Sequence, residues 1–176
     1  MSSLDAFTKT RLRRNAIVVA IVVIVWVAAD FASKRFFDSG EFTLGQNIAG
    51  PFLGLFRFTL VHNTGAAWGI LAGNTVALGV FSVVMCVLLL LFLFVFEQRA
   101  NLGLALGVAM VVGGGIGNAI DRFAGQYVVD FIEFTFIQFP VFNIADIGVT
   151  CGIVLFFAAY LIGLRKERKT LMGDGK

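Results

Sequence analysis

A chain of 176 residues that is 59% hydrophobic and only 14% charged, with a mean hydropathy of +0.91, falls outside water-soluble globular domains, which run about 45–50% apolar and about 25% charged. Ten of its 14 basic residues flank the long apolar runs or close the chain. That placement marks the cytoplasmic side of a membrane protein, so no nucleic-acid partner is expected despite the net charge of +3.

Four stretches reach the roughly 20 apolar residues that a bilayer crossing needs: about 15–31, 70–96, 102–120 and 145–164. Together they predict one membrane domain over 1–176, mainly α, a bundle of four transmembrane helices. The first stretch has the layout of a cleavable secretory signal, with a basic start and small residues at Ala28 and Ala29. Removing it would unbalance the charge pattern of the remaining spans, so it is expected to stay. Lys9, Arg11, Arg13 and Arg14, then Arg99 in the turn between the second and third spans, then Arg165, Lys166, Arg168, Lys169 and Lys176 place both ends and that turn in the cytoplasm.

The segments 35–67 and 122–143 then lie outside. Leu55 to Val61 and Tyr127 to Phe136 are aromatic and β-branched with partial alternation, which predicts strands, with Gly45, Gly50, Pro51 and Gly54 punctuating the first segment. A small sheet resting on the membrane surface follows. Cys86 and Cys151 sit inside apolar runs and act as small hydrophobes. His62 is the single histidine, which leaves no zinc set.

Ionisable groups in or beside lipid are costly, and each is a functional candidate. Asp30, Lys34, Asp121, Arg122, Asp130 and Asp146, with Asn63, Asn118 and Asn143, all fall near the outer interface, contributed by all four spans. Each also has a plain structural explanation. Asp30 and Lys34 are four apart on one helix face and make an ion pair with the lysine reaching for water. Asn118 and Arg122 share that spacing and tie a helix end to a loop. Gly113, Gly114, Gly115 and Gly117 permit close helix contact. Asn143 and Asp146 form a capping box. Asp130, amid Val128, Val129, Phe131 and Ile132, is harder to explain so, because an ionised carboxylate there lacks solvation.

Among reactions, a serine–histidine pair has no suitable set, and Ser33 and Lys34 point about 100° apart on a helix. Two aspartates remain. Held close, they share one proton and activate water against an amide. Asp130 and Asp146, on separate segments, could meet at the mouth of the bundle; apolar neighbours favour Asp130 as the proton holder, but the sequence does not fix which of the two it is. The alternative is a small proton-coupled transporter or channel subunit using intramembrane acids. Such proteins bind at the midplane through broken helices, which this sequence does not suggest. A structural assembly factor would tolerate loss of either aspartate.

Asp30-Phe-Ala-Ser-Lys34, Asn63-Thr-Gly-Ala-Ala67, Gly113-Gly-Gly-Ile-Gly-Asn118 with Asp121-Arg122, Val128-Val-Asp-Phe131 and Phe142-Asn-Ile-Ala-Asp146 resemble, in order, the motifs of bacterial lipoprotein signal peptidase, signal peptidase II. The resemblance implies four transmembrane helices with a small extracytoplasmic β-cradle in the bacterial inner membrane. It implies an aspartic endopeptidase that cleaves a diacylglyceryl-modified prolipoprotein just before its lipidated cysteine. Asp130 and Asp146 would be catalytic; Asp30, Lys34, Asn63, Gly114, Asn118, Arg122 and Asn143 would bind or support. Lipid-modified substrate and membrane lipid would be the partners of a monomer, with no metal or organic cofactor. A presenilin-like peptidase fits less well, since Gly115-Ile-Gly-Asn118 stands where its Gly-x-Gly-Asp would be.

Overall fold

A computed structural model describes residues 3–66, 69–97 and 101–173. Ala67, which ends the second motif, Trp68, Arg99 and Lys176 lie outside the described residues. Among the described residues, four helices are long and apolar enough to cross a membrane. They are α1 (Ser3–Phe37), α2 (Thr75–Leu91, continued as a π-helical turn over Phe92–Phe96), α3 (Leu102–Ala124) and α4 (Ile144–Gly173). An antiparallel sheet of β1 (Asn47–Phe52), β2 (Phe56–Asn63) and β3 (Val128–Phe134), in that order, completes the fold.

The helices outrun the apolar stretches where polar residues still find partners. α1 passes Phe31 because Asp30 and Lys34 bind each other and neighbours on one face. The second helix, by contrast, begins at Thr75 rather than at residue 70. Gly69, Leu71 and Gly73 each take positive φ, so residues 69–73 form turns.

α3 is the centre of the bundle. Within its apolar window 61% of residues are buried, against 11–17% in the other three, which leaves those three to face lipid. Small residues make the centre possible. A Cβ at Gly152 of α4 would lie 2.7 Å from the Gly107 carbonyl of α3, so the two backbones touch through missing side chains. Exposed Ile24, Phe81 and Val154 line the outer faces.

The sheet sits against the end of α1. Phe37 stacks on Phe131 at 4.2 Å between ring centroids and meets Phe58 at 5.2 Å. Two expected strands appear as β2 and β3, while β1 occupies the Gly- and Pro-punctuated stretch, where no strand was expected. Proline is tolerated there because β1 is an edge strand with an irregular register. The β2–β3 register sets Arg57 opposite Glu133 and Val61 opposite Asp130, with a shift between Phe58 and Val61.

Candidate active site

Three helix ends and two strands bring the polar groups together. The ends of α1 and α3 and the start of α4 supply Asp30, Lys34, Asn118, Asp121, Arg122, Asn143 and Asp146; β2 and β3 supply Asn63 and Asp130. The expectation of a contribution from every span is corrected here. α2 places none of these residues, because its sequence holds no charge; its Gly79 makes room for the Phe123 ring and the Arg122 Cβ of α3.

Lys34 is the hub. Its side chain is 3% exposed, so it does not reach for water. The ammonium lies 2.7 Å from Asp30 and 3.0 Å from Asp121 and donates to Asn118 Oδ1 at 3.0 Å, one partner for each of its three N–H donors. Each partner carries the order onward. Asp30 accepts from the Ala145 amide at 2.9 Å, capturing an otherwise orphaned donor in the first turn of α4. Asp121 accepts from the Val129 amide at 3.3 Å and so fixes β3 one residue before Asp130. Replacing Lys34 with Met would leave Asp30 and Asp121 side by side without counter-charge. We expect a loss of about 3–5 kcal/mol, measured as a lowered melting temperature in detergent and partly restored by adding Asp30→Asn. An unchanged melt would refute the hub role.

Asn118 and Asn143 connect that hub to the two aspartates. Asn118 Nδ2 donates to Asp146 Oδ1 at 2.8 Å. Asn143, fully buried, donates from Nδ2 to Asp130 Oδ1 at 2.7 Å and lies within reach of Asn118 Oδ1 at 3.1 Å. The expected capping box is present in full. The Asp146 amide donates to Asn143 Oδ1 at 3.0 Å, and the Asn143 amide donates to Asp146 Oδ2 at 3.1 Å. Capping and site-building are therefore one set of bonds.

Asp130 is 2% exposed. Asn63 Nδ2 donates to its second oxygen at 2.9 Å, and Asn63 is itself held by the Gly65 amide at 2.9 Å. Burial first, then the neighbouring charge of Asp146, pushes the Asp130 carboxyl up from the ordinary 3.8 to about 7; the amides of Asn63 and Asn143 and the Lys34 charge oppose this. Asp130 and Asp146 line one cavity of about 410 Å³ with Asn63, Asn118, Arg122 and Phe142. Arg122 donates to the carbonyls of Asn118 and Gly65, both at 3.3 Å, while its buried Nε has no partner among the described residues.

Gly114 faces the backbone of α4, where a Cβ would collide with the Ala145 carbonyl oxygen, and Gly117 accommodates the Asp30 carboxylate in the same way. Two supports escaped the sequence reading. Trp26 donates from its indole to the Ile144 carbonyl at 3.0 Å, filling the space over Gly113 and Gly148; nothing in an apolar run distinguishes such a tryptophan. His62 meets Asp38 at 2.8 Å and stacks on Tyr127, whose hydroxyl donates to Asp38 at 3.1 Å, which ties β2 and the α3–β3 turn to the end of α1. The lone histidine was the available signal, but its partners come from other segments.

A multi-pass membrane protein whose two aspartates, one of them buried, line a cavity at one end is the class these features define. The profile of the family described as Signal peptidase (SPase) II matches residues 21–162. A lipoprotein signal peptidase of Nostoc punctiforme is 40% identical over 142 residues, covering 77% of this chain and 88% of the relative. One of Lactobacillus johnsonii is 41% identical over 151 residues, covering 86% and 94%. A bacterial membrane enzyme solved by the in meso method at 2.3 Å superposes with a TM-score of 0.71 at 29% identity, covering 84% of this chain and 87% of that one. The chain belongs to the signal peptidase II family and is a membrane peptidase.

Proposed function

We propose that this peptidase is an aspartic endopeptidase that removes the signal peptide of diacylglyceryl-modified prolipoproteins immediately before the lipidated cysteine. The observation that carries the reading is the pairing of a buried, proton-retaining Asp130 with Asp146 through Asn143 and Asn118 on one cavity. Asp130 gives a hydrogen bond to the scissile carbonyl. Asp146 takes a proton from water, whose oxygen adds to the carbonyl carbon. The C–N bond then breaks, the nitrogen leaves as the cysteine amine with the proton that Asp146 took, and the free acid remains on the signal peptide. Arg122 Nε offers a donor to a substrate carbonyl.

Topology supports the same reading. Asp30 meets the end of α3 and the start of α4, so the basic start of α1 and basic end of α4 lie at the opposite end of the bundle. By the positive-inside rule those ends are cytoplasmic, and the site faces outward in the bacterial inner membrane. A substrate anchored by two acyl chains cannot leave the bilayer, which suits a site at its surface.

The direct test is cleavage in detergent or lipid of matched prolipoproteins with and without the diacylglyceryl group, read by mass spectrometry. Cutting at the residue before the lipidated cysteine, and only on the lipidated form, is the expected result. No cutting, or equal cutting of both forms, would overturn the proposal.

The raised Asp130 pKa adds a pH prediction. Loss of its proton removes the carbonyl hydrogen bond, so kcat/KM falls as pH rises through about 7. Folding is linked with the same sign. An acid whose folded-state pKa is raised contributes stability that is complete below 3.8 and lost as pH rises through about 7. The melting temperature of the wild type should therefore drop across that range relative to Asp130→Asn. A flat difference between the two melts would refute the assignment.

A further inference from the structure

Arg57 and Glu133 stand opposite each other on β2 and β3. The guanidinium donates from Nε and Nη2 to the two Glu133 oxygens, both at 2.8 Å, and Thr59 donates to Glu133 Oε2 at 2.7 Å. As sheet stabilisation alone this would need no comment. Its surroundings say more. The pair forms the charged wall of an open cavity of about 820 Å³, completed by the segment from Phe134 to Pro140. Phe134, Phe139 and Pro140 also line the cavity of the two aspartates, so the two spaces share a wall.

The two cavities differ in where they lead. The aspartate cavity reaches α4 at Ile147, Val149 and the exposed Cys151, on a helix face turned to lipid. The Arg57 cavity sits on the sheet, away from the membrane-length helices. A lipidated peptide cut at Asp130 and Asp146 has its signal segment and acyl chains in lipid, while the chain after the cysteine must run to water. The Arg57 cavity is the polar route beside the site. The charges of the pair cancel, but its spare hydrogen-bonding capacity lies with donors. Glu133 already accepts from Arg57 and Thr59, whereas the bonds to Glu133 use two of the five guanidinium N–H groups of Arg57, which is 40% exposed.

We propose that the Arg57–Glu133 pair is a subsite for the segment following the cleaved bond, preferring acidic or carbonyl-presenting residues over basic ones. The inference rests on the peptidase reading above. Arg57 supplies the attraction and Glu133 tempers it; a lysine in the segment would compete with Arg57 for a carboxylate already taken.

The experiment uses the full chain in lipid with lipidated substrates identical through the cysteine, carrying Asp or Lys at each following position in turn. The readout is the ratio of kcat/KM for the Asp and Lys members of each pair, which cancels any general loss of folded enzyme. The wild-type ratio should exceed one by about fivefold at one or two positions, the scale of an exposed charge contact, and shrink with added salt. Arg57→Gln should bring that ratio to one or below, Arg57→Lys should keep most of it, and Glu133→Gln should increase it. A ratio unchanged across all three variants overturns the subsite while leaving the peptidase reading intact. Failure of the wild type to cut any lipidated substrate overturns both.

Discussion

Asp130→Asn and Asp146→Asn should each abolish signal-peptide cleavage, lowering the single-turnover rate by on the order of 10³–10⁴-fold, and the double variant should be no slower than either single one. Near-isosteric replacement keeps the bulk of each side chain while removing the group that gives or takes the proton. The two effects should not add, because a base without its proton-bearing partner, or the reverse, completes no proton cycle. A multiplicative loss in the double variant would mean that the aspartates act independently, and full activity in either single variant would remove that residue from catalysis.

The hydrogen-bond pattern makes a second, structural contribution to that loss. Both Asp130 oxygens face amide donors, from Asn143 and Asn63. Both Asp146 oxygens do too, from Asn118 Nδ2 and the Asn143 amide. An asparagine at either place must turn an NH₂ group toward a donor. Asn143 has no freedom to flip in compensation, since its Oδ1 accepts from the Asp146 amide. A crystal structure or a melt of each variant therefore belongs beside the rate, and folded but inactive variants are the expected pair of findings.

Much of this architecture is legible in the sequence, for two separate reasons. Lipid makes each polar residue conspicuous, so Asp30, Lys34, Asn118, Arg122, Asn143 and Asp146 stand out against apolar runs. The site then gathers at one end because the bundle allows it nowhere else. What stays hidden depends on backbone shape or on partners far along the chain. β1 hides because Gly50 and Pro51 signal a turn, and only an edge position with an irregular register lets them lie in a strand. Trp26 hides because its role depends on Gly113 and Gly148, from two other helices. Lys34 was visible but its burial was not: a lone Asp30 neighbour favours an exposed pair, and Asp121 and Asn118 join only through the fold.

Gly114→Ala should separate geometry from chemistry at this site, leaving the chain folded and every polar group present while cutting kcat by about a hundredfold. A Cβ on Gly114 would strike the Ala145 carbonyl oxygen and approach Val149 Cγ2 at 3.0 Å and the Ala145 carbonyl carbon at 3.1 Å. Two of these three obstacles are backbone, so relief requires the first turn of α4 to move. Asp146 is the next residue in that turn, and its bond to Asn118 on α3 measures 2.8 Å. A displacement of about 1 Å between groups that must act together costs roughly two orders of magnitude in rate. Overpacking at a buried contact costs only about 1–3 kcal/mol of stability. Gly163→Ala is the control, because the nearest atom to a Cβ there is Asn101 Nδ2 at 3.8 Å, an ordinary contact at the far end of α4. Wild-type kinetics in Gly163→Ala with slow turnover in a folded Gly114→Ala would place the sensitivity at the α3–α4 contact. Equal rates in both would show that α4 yields without moving Asp146, and would remove Gly114 from the positioning of the dyad.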